Sequence, residues 1–197
     1  MMQPPETKSP PAPPVLLLGE PGLRVVCEPV PDLATDSLAM QIRGLHRTLA
    51  AFRHEHGFGR AVAAPQIGVT RRIIAMNLGR APFTVINPEI VWRSCETFTL
   101  WDDCMSFPSL LVKVARSKSI SVRYTTESGE EILREHLDRS VSELFQHEID
   151  HLDGVLAVDR ACDGDALISR EVFEAEPGYF ADQVDYTIQP TMIQLPT

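Results

Sequence analysis

The sequence predicts one α+β domain in which antiparallel strands lie between two helices. Three observations predict it. Apolar residues recur at helical spacing around residue 45 and again around residue 145. Between these stretches lie short β-rich runs parted by Pro, Gly and Asn, with no helical pattern among them. The 197 residues, 44% hydrophobic and 23% charged, suit a single core and exclude wholesale disorder or a coiled coil.

The elements follow in order. Residues 3–14 read QPPETKSPPAPP; proline at that density blocks helix and sheet pairing, so residues 1–14 form an extended or disordered leader. Leu38, Ile42, Leu45, Leu49 and Phe52 fall on one face of a helix over residues 36–53. Thr35 or Asp36 is placed to cap it, and Gly57 to stop it. Strands are expected at residues 72–77, 83–87, 89–92, 119–124 and 130–137, with a hairpin turn over residues 125–129. Val141, Leu144, Phe145, Ile149 and Leu152 restore the helical period over residues 139–153. Asp138 or Ser140 caps that helix and Gly154 ends it.

Past Asp159 the composition shifts. From residue 163 onward seven acids face one base, Arg170. The expected division is therefore a leader at 1–14, a catalytic domain at 15–160 and an acidic extension at 161–197. A short helix is expected over residues 165–175, and an irregular end around Pro190 and Pro196.

A net charge of −9 with no basic block argues against nucleic acid as a partner. No apolar run approaches the ~20 residues of a membrane span. Cys27, Cys95, Cys104 and Cys162 form no C-x-x-C pair, and no cationic leader precedes an apolar run. The expectation is a reduced, cytoplasmic protein without membrane contact.

The strongest chemical signal is His147-Glu148-Ile149-Asp150-His151. Residues four apart share a helix face, so both imidazoles can reach one metal ion, with Glu148 aimed at a water on it. The third ligand separates the classes. A metzincin places a His where this chain has Ala157, which excludes that class. A gluzincin takes a later Glu, for which Glu171 or Glu174 is available. Upstream, Cys104 would complete a thiolate and two-imidazole set suited to Fe(II), Zn(II) or Ni(II), with one position open. Spacing alone leaves both candidates standing. Residues 59–66, GRAVAAPQ, join small side chains to a lone Gln66 able to donate to a developing oxyanion.

Together these segments resemble the peptide deformylases, whose motifs are G-φ-G-φ-A-A-x-Q, E-G-C-φ-S and H-E-φ-D-H, with φ apolar. Here they correspond to Gly59 through Gln66, Asp102 through Ser106 and His147 through His151. The order and separations match over roughly residues 15–160. The resemblance implies antiparallel strands around a central metal-binding helix. It implies hydrolysis of an N-formyl group, most simply from N-formylmethionyl peptides in protein biosynthesis. One divalent metal per chain would be held by Cys104, His147 and His151: usually Fe(II) in this family, with Zn(II), Ni(II) or Co(II) as alternatives. Glu148 would act as base and then acid, while Gln66 and the Met105 backbone N–H polarise the formyl carbonyl. Gly59, Ala61, Val62 and Asp103 would border the substrate.

The chain departs from the motifs at two of these positions. Asp103 stands where the family has Gly, and Ala61 replaces a second Gly. Asp102 replaces Glu and keeps the charge that can pair with Arg116. Asp103 suggests a cationic group on the substrate. The acidic tail argues against docking on a ribosome through a basic helix. Rival readings are an amidohydrolase of a small N-formyl compound, a metal-binding homologue without turnover, and a gluzincin using Glu171.

Overall fold

The computed structural model describes residues 10–188. Part of the proline-rich leader, and the end expected to be irregular at Pro190 and Pro196, lie outside the described residues. Helix α1 spans Asp36–His56, as the apolar spacing predicts. Thr35 caps it, its side chain accepting the Leu38 N–H at 3.2 Å. Gly57 ends it in the left-handed region at φ 76°, donating its N–H to the Arg53 carbonyl.

Strands β1 (Ala61–Ala63), β2 (Ile73–Met76), β3 (Phe83–Arg93), β4 (Thr97–Asp103), β5 (Leu110–Ser117), β6 (Ile120–Thr125) and β7 (Glu131–Arg134) follow. After them come helix α2 (Arg139–Leu152), strand β8 (Leu167–Ser169) and two short helices, α3 (Arg170–Ala175) and α4 (Pro177–Ala181). The strands form two antiparallel sheets, ordered β1-β2-β3-β6-β7 and β4-β5-β8.

Two runs expected as separate strands, 83–87 and 89–92, are one strand, β3. Its register against β6 slips between Ile86 and Glu89. Asn87, at φ 51°, and Pro88 occupy that slip, where a missing N–H costs no ladder bond. Strands β1, β4, β5 and β8 have no counterpart in the sequence reading. Asp102, Asp103, Lys113 and Arg116 interrupt β4 and β5 and hide their alternation. The helix expected over residues 165–175 divides into β8 and α3, because Leu167–Ser169 adds to the edge of β5.

Alternation along β2 explains the layering. Ile73 and Ala75 face α1, packing with Leu45 and Leu49. Ile74 and Met76 face α2, packing with Val141, Phe145 and Ile149. Helix α2 is buried at every position from Val141 to Leu152, so it forms the centre of the molecule rather than a surface layer. Asp138 caps it, accepting N–H bonds from Ser140 and Val141 at 2.9 and 3.1 Å. The second sheet closes the far side: Gln146 and Ser142 of α2 donate to the Ser117 carbonyl. Residues of the 161–188 segment pack on that sheet, where the Trp101 indole donates to the Phe180 carbonyl at 2.9 Å.

Candidate metal centre

Three elements meet at one point. The C-terminal end of β4 delivers Asp102, Asp103 and the following Cys104. The edge of β1 and the turn after it deliver Ala61 and Gln66. Helix α2 delivers His147, Glu148 and His151. The ligand atoms of Cys104, His147 and His151 lie within 4.8 Å of one another, and all three residues are buried. Cys104 Sγ is 3.2 Å from His151 Nε2. Glu171, the gluzincin candidate, lies exposed on α3 and is not in this group.

A carboxylate behind the group orients it. His147 Nδ1 sits 3.0 Å from Asp102 Oδ2, and Arg116 Nη2 donates to the same oxygen at 3.0 Å. Arg116 also meets Asp150, which Arg160 holds from outside at 2.8 Å. Asp150 is thus part of a buried charge chain. Burial disfavours the Asp102 charge, but His147 and Arg116 outweigh it and hold the carboxyl below the usual range. Burial, reinforced by His147, keeps His151 well below the ordinary imidazole value and therefore neutral. Burial raises the Cys104 thiol, with His147 opposing.

Glu148 is 3% exposed, and its Oε2 has no hydrogen-bond partner among the described residues. Burial pushes its carboxyl up to about 7, with His147 opposing. Gln66 is equally enclosed. Its Oε1 accepts the Ala63 N–H at 2.8 Å, which turns Nε2 toward Ser106 Oγ at 3.2 Å and Cys104 Sγ at 3.6 Å. The donor set fits a divalent transition metal: one thiol, two imidazoles, one of them braced by a carboxylate, and beside them the Glu148 carboxylate with one oxygen free of hydrogen bonds among the described residues.

A cavity of about 20 Å³ adjoins the group. Gly59, Ala61, Gln66, Asp103, Met105 and Glu148 all line it. Val62 does not; its side chain is buried against α1, and only its place on β1 brings its backbone near. Gly59 adopts φ 113°, a conformation that L side chains rarely adopt. Asp103 needs no such conformation, since Asn87 and His136 are the only non-glycine residues at positive φ among those described. Its carboxylate accepts from Arg170 Nη2 at 3.1 Å, and the Arg170 guanidinium lies 4.0 Å from the Phe58 ring centroid. The charge expected to attract a cationic substrate is therefore already met from α3.

Two residues of the cavity wall escaped the sequence reading. Arg60 and Glu143 form an ion pair at 2.5 Å, with side chains 9% and 1% exposed. Both had a signal. Arg60 occupies an apolar position of the first motif, and Glu143 lies four residues before His147 on the same helix face.

The family model of the polypeptide deformylases matches residues 12–166. A peptide deformylase of Thermotoga neapolitana is 38% identical over 157 residues, covering 80% of this chain and 92% of the relative. One from Heliobacterium modesticaldum is 36% identical over 146 residues, covering 74% and 91%. Among solved structures, the peptide deformylase of Thermotoga maritima superposes with a TM-score of 0.69 at 36% identity, covering 77% of this chain and 99% of that one. A Met-Ala-Ser-bound class I type b peptide deformylase of Acinetobacter baumannii gives 0.67 at 28% identity, covering 76% and 98%. With its α2-centred sheets, its buried Cys/His/His group and these relatives, the chain belongs to the polypeptide deformylase family.

Proposed function

We propose that this chain hydrolyses the formyl group from the N-terminus of N-formylmethionyl peptides, using Cys104, His147 and His151 as metal ligands. One observation carries the reading. A buried thiol and two imidazoles converge beside a cavity lined by Glu148, whose Oε2 has no hydrogen-bond partner among the described residues. A divalent metal bound there supplies Lewis acidity and brings the pKa of a coordinated water toward neutrality.

The chain's own groups supply the rest. Glu148 takes a proton from the attacking water as that water adds to the formyl carbon. The carbonyl oxygen gains negative charge, and the Gln66 amide and the Met105 N–H are the donors assigned to it. Glu148 then returns the proton to the amine nitrogen as the C–N bond breaks, so water and formamide become formate and free amine. Among the described residues strand β1 pairs only with β2, which leaves its other edge for an extended peptide along Gly59, Ala61 and Val62.

The family resemblance points to Fe(II), and Zn(II), Ni(II) or Co(II) satisfy the same thiolate and imidazole donors. Metal analysis of protein purified without oxygen identifies which is held. The catalytic unit is read as residues 15–160. A thiol ligand requires a reducing setting, and the four cysteines are unpaired, which fits the cytoplasm. No helix among the described residues is long and apolar enough to cross a membrane.

The test is formate release from formyl-Met-Ala-Ser by protein loaded with Fe(II) in the absence of oxygen, with Ni(II) as an oxygen-stable comparison. Turnover lost in Glu148→Ala supports the reading. A fully loaded protein that releases no formate from peptides or from small formamides overturns it and favours a metal-binding homologue without turnover.

A further inference from the structure

The cavity beside the metal ligands ends in a charged wall. Arg60, from the residue before β1, and Glu143, from the first half of α2, meet there at 2.5 Å. Glu143 is 1% exposed, and apart from this ion pair neither of its carboxylate oxygens has a hydrogen-bond partner among the described residues. A buried carboxylate with open acceptor sites is costly, and a donor placed against it relieves that cost. Leu144 and Met105 line the cavity together with this pair, so a side chain that enters it lies against the two charges.

We propose that Arg60 and Glu143 set the side-chain specificity of this site, favouring N-formyl peptides whose first residue carries a compact hydrogen-bond donor, such as the hydroxymethyl of serine, over methionine. The inference rests on the deformylase reading and deepens it. Formylmethionyl peptides remain substrates, but the wall gives them no preference. A methionine side chain entering the cavity must part the ion pair or lie against it, and it donates nothing to the open carboxylate oxygens. A serine hydroxyl reaches the same wall and donates to an open Glu143 oxygen. An alanine side chain fits but donates nothing, so the alanine peptide separates size from hydrogen bonding.

The experiment compares kcat/KM for formyl-Ser-Ala-Ser, formyl-Ala-Ala-Ser and formyl-Met-Ala-Ser on the metal-loaded enzyme. The expected order is serine, then alanine, then methionine, with serine over methionine by about tenfold or more, as for a hydrogen bond to a buried charge. A double variant, Arg60→Ile with Glu143→Ile, replaces the pair with apolar volume and is expected to bring methionine to the front. Equal values for serine and alanine, or methionine leading in the unaltered enzyme, overturn the proposal. Calorimetric binding of the unformylated peptides Ser-Ala-Ser and Met-Ala-Ser provides a second readout. If no peptide yields formate, the deformylase reading fails, and the order of binding still decides the wall: serine tighter supports it, methionine tighter overturns it.

Discussion

His147 Nδ1 and Asp102 Oδ2 lie 3.0 Å apart, both buried, across 45 residues of sequence. The contact commits Nδ1 to the carboxylate and leaves Nε2 as the ring atom free to act as a ligand. Arg116 shares the same carboxylate oxygen and keeps the carboxylate itself in place. Asp102→Asn retains the shape but removes the charge that steadies the imidazole. It should weaken metal affinity by about 10–100-fold. Competition against a chelator measures this, and unchanged affinity would show that Asp102 only packs.

Glu148→Gln should retain metal and lose about 10²–10⁴-fold in formate release, since the amide cannot carry the proton. Metal analysis and single-turnover kinetics check the two halves separately; joint loss of metal and activity would assign Glu148 a structural role.

The same substitution has a stability signature in the metal-free protein. Burial raises the Glu148 carboxyl from 4.5 to about 7 on folding. Between those values the folded state holds the proton more firmly than the unfolded state, so this group's contribution to stability falls as pH rises through that window. Glu148→Gln removes the penalty. The variant should gain on the unaltered chain between about pH 4 and about pH 8, by up to about 3 kcal/mol. Urea titrations of both metal-free proteins across that range test it; a gap that stays constant with pH contradicts it.

Arg116→Met should cost about 3–5 kcal/mol, because it leaves Asp102 buried without its cation and Asp150 with only Arg160. Denaturant midpoints give the number. A loss below about 1 kcal/mol would mean that the charge chain is screened like a surface pair.

Gly154→Ala should be severely destabilising for a different reason. Gly154 follows α2 at φ 73°, and a Cβ there would stand 2.7 Å from the Arg24 carbonyl oxygen. Both strain and collision oppose alanine, for an expected loss of more than about 2 kcal/mol. A melting temperature within a few degrees of the unaltered protein would show that the segment carrying Arg24 yields.

Much of the centre was legible because its determinants are local. Helical spacing located α1 and α2, and the caps Thr35 and Asp138 were among the residues expected. Glycines marked the ends of both helices for the same local reason, since a left-handed residue stops an α-helix wherever it occurs. The two His of α2 share a face by helix geometry alone, and motif order supplied Cys104.

What escaped the sequence depends on partners far along the chain. Strands β4 and β5 carry Asp102, Asp103 and Arg116, which break the alternation that marks a strand. Those charges are tolerated because α2 and α3 bring Asp150, His147 and Arg170 to meet them. Asp103 alone suggested a cationic ligand; only the folded chain places Arg170 against it. Arg60 and Glu143, 83 positions apart in sequence, drew no reading of their own, and only folding buries them together. The sequence by itself determined the helices, their ends and the ligand types, because backbone periodicity and side-chain chemistry are properties of neighbouring residues. Only the tertiary structure decided which charges pair and what lines the cavity wall, because burial and ion pairing depend on which distant residues the fold brings together.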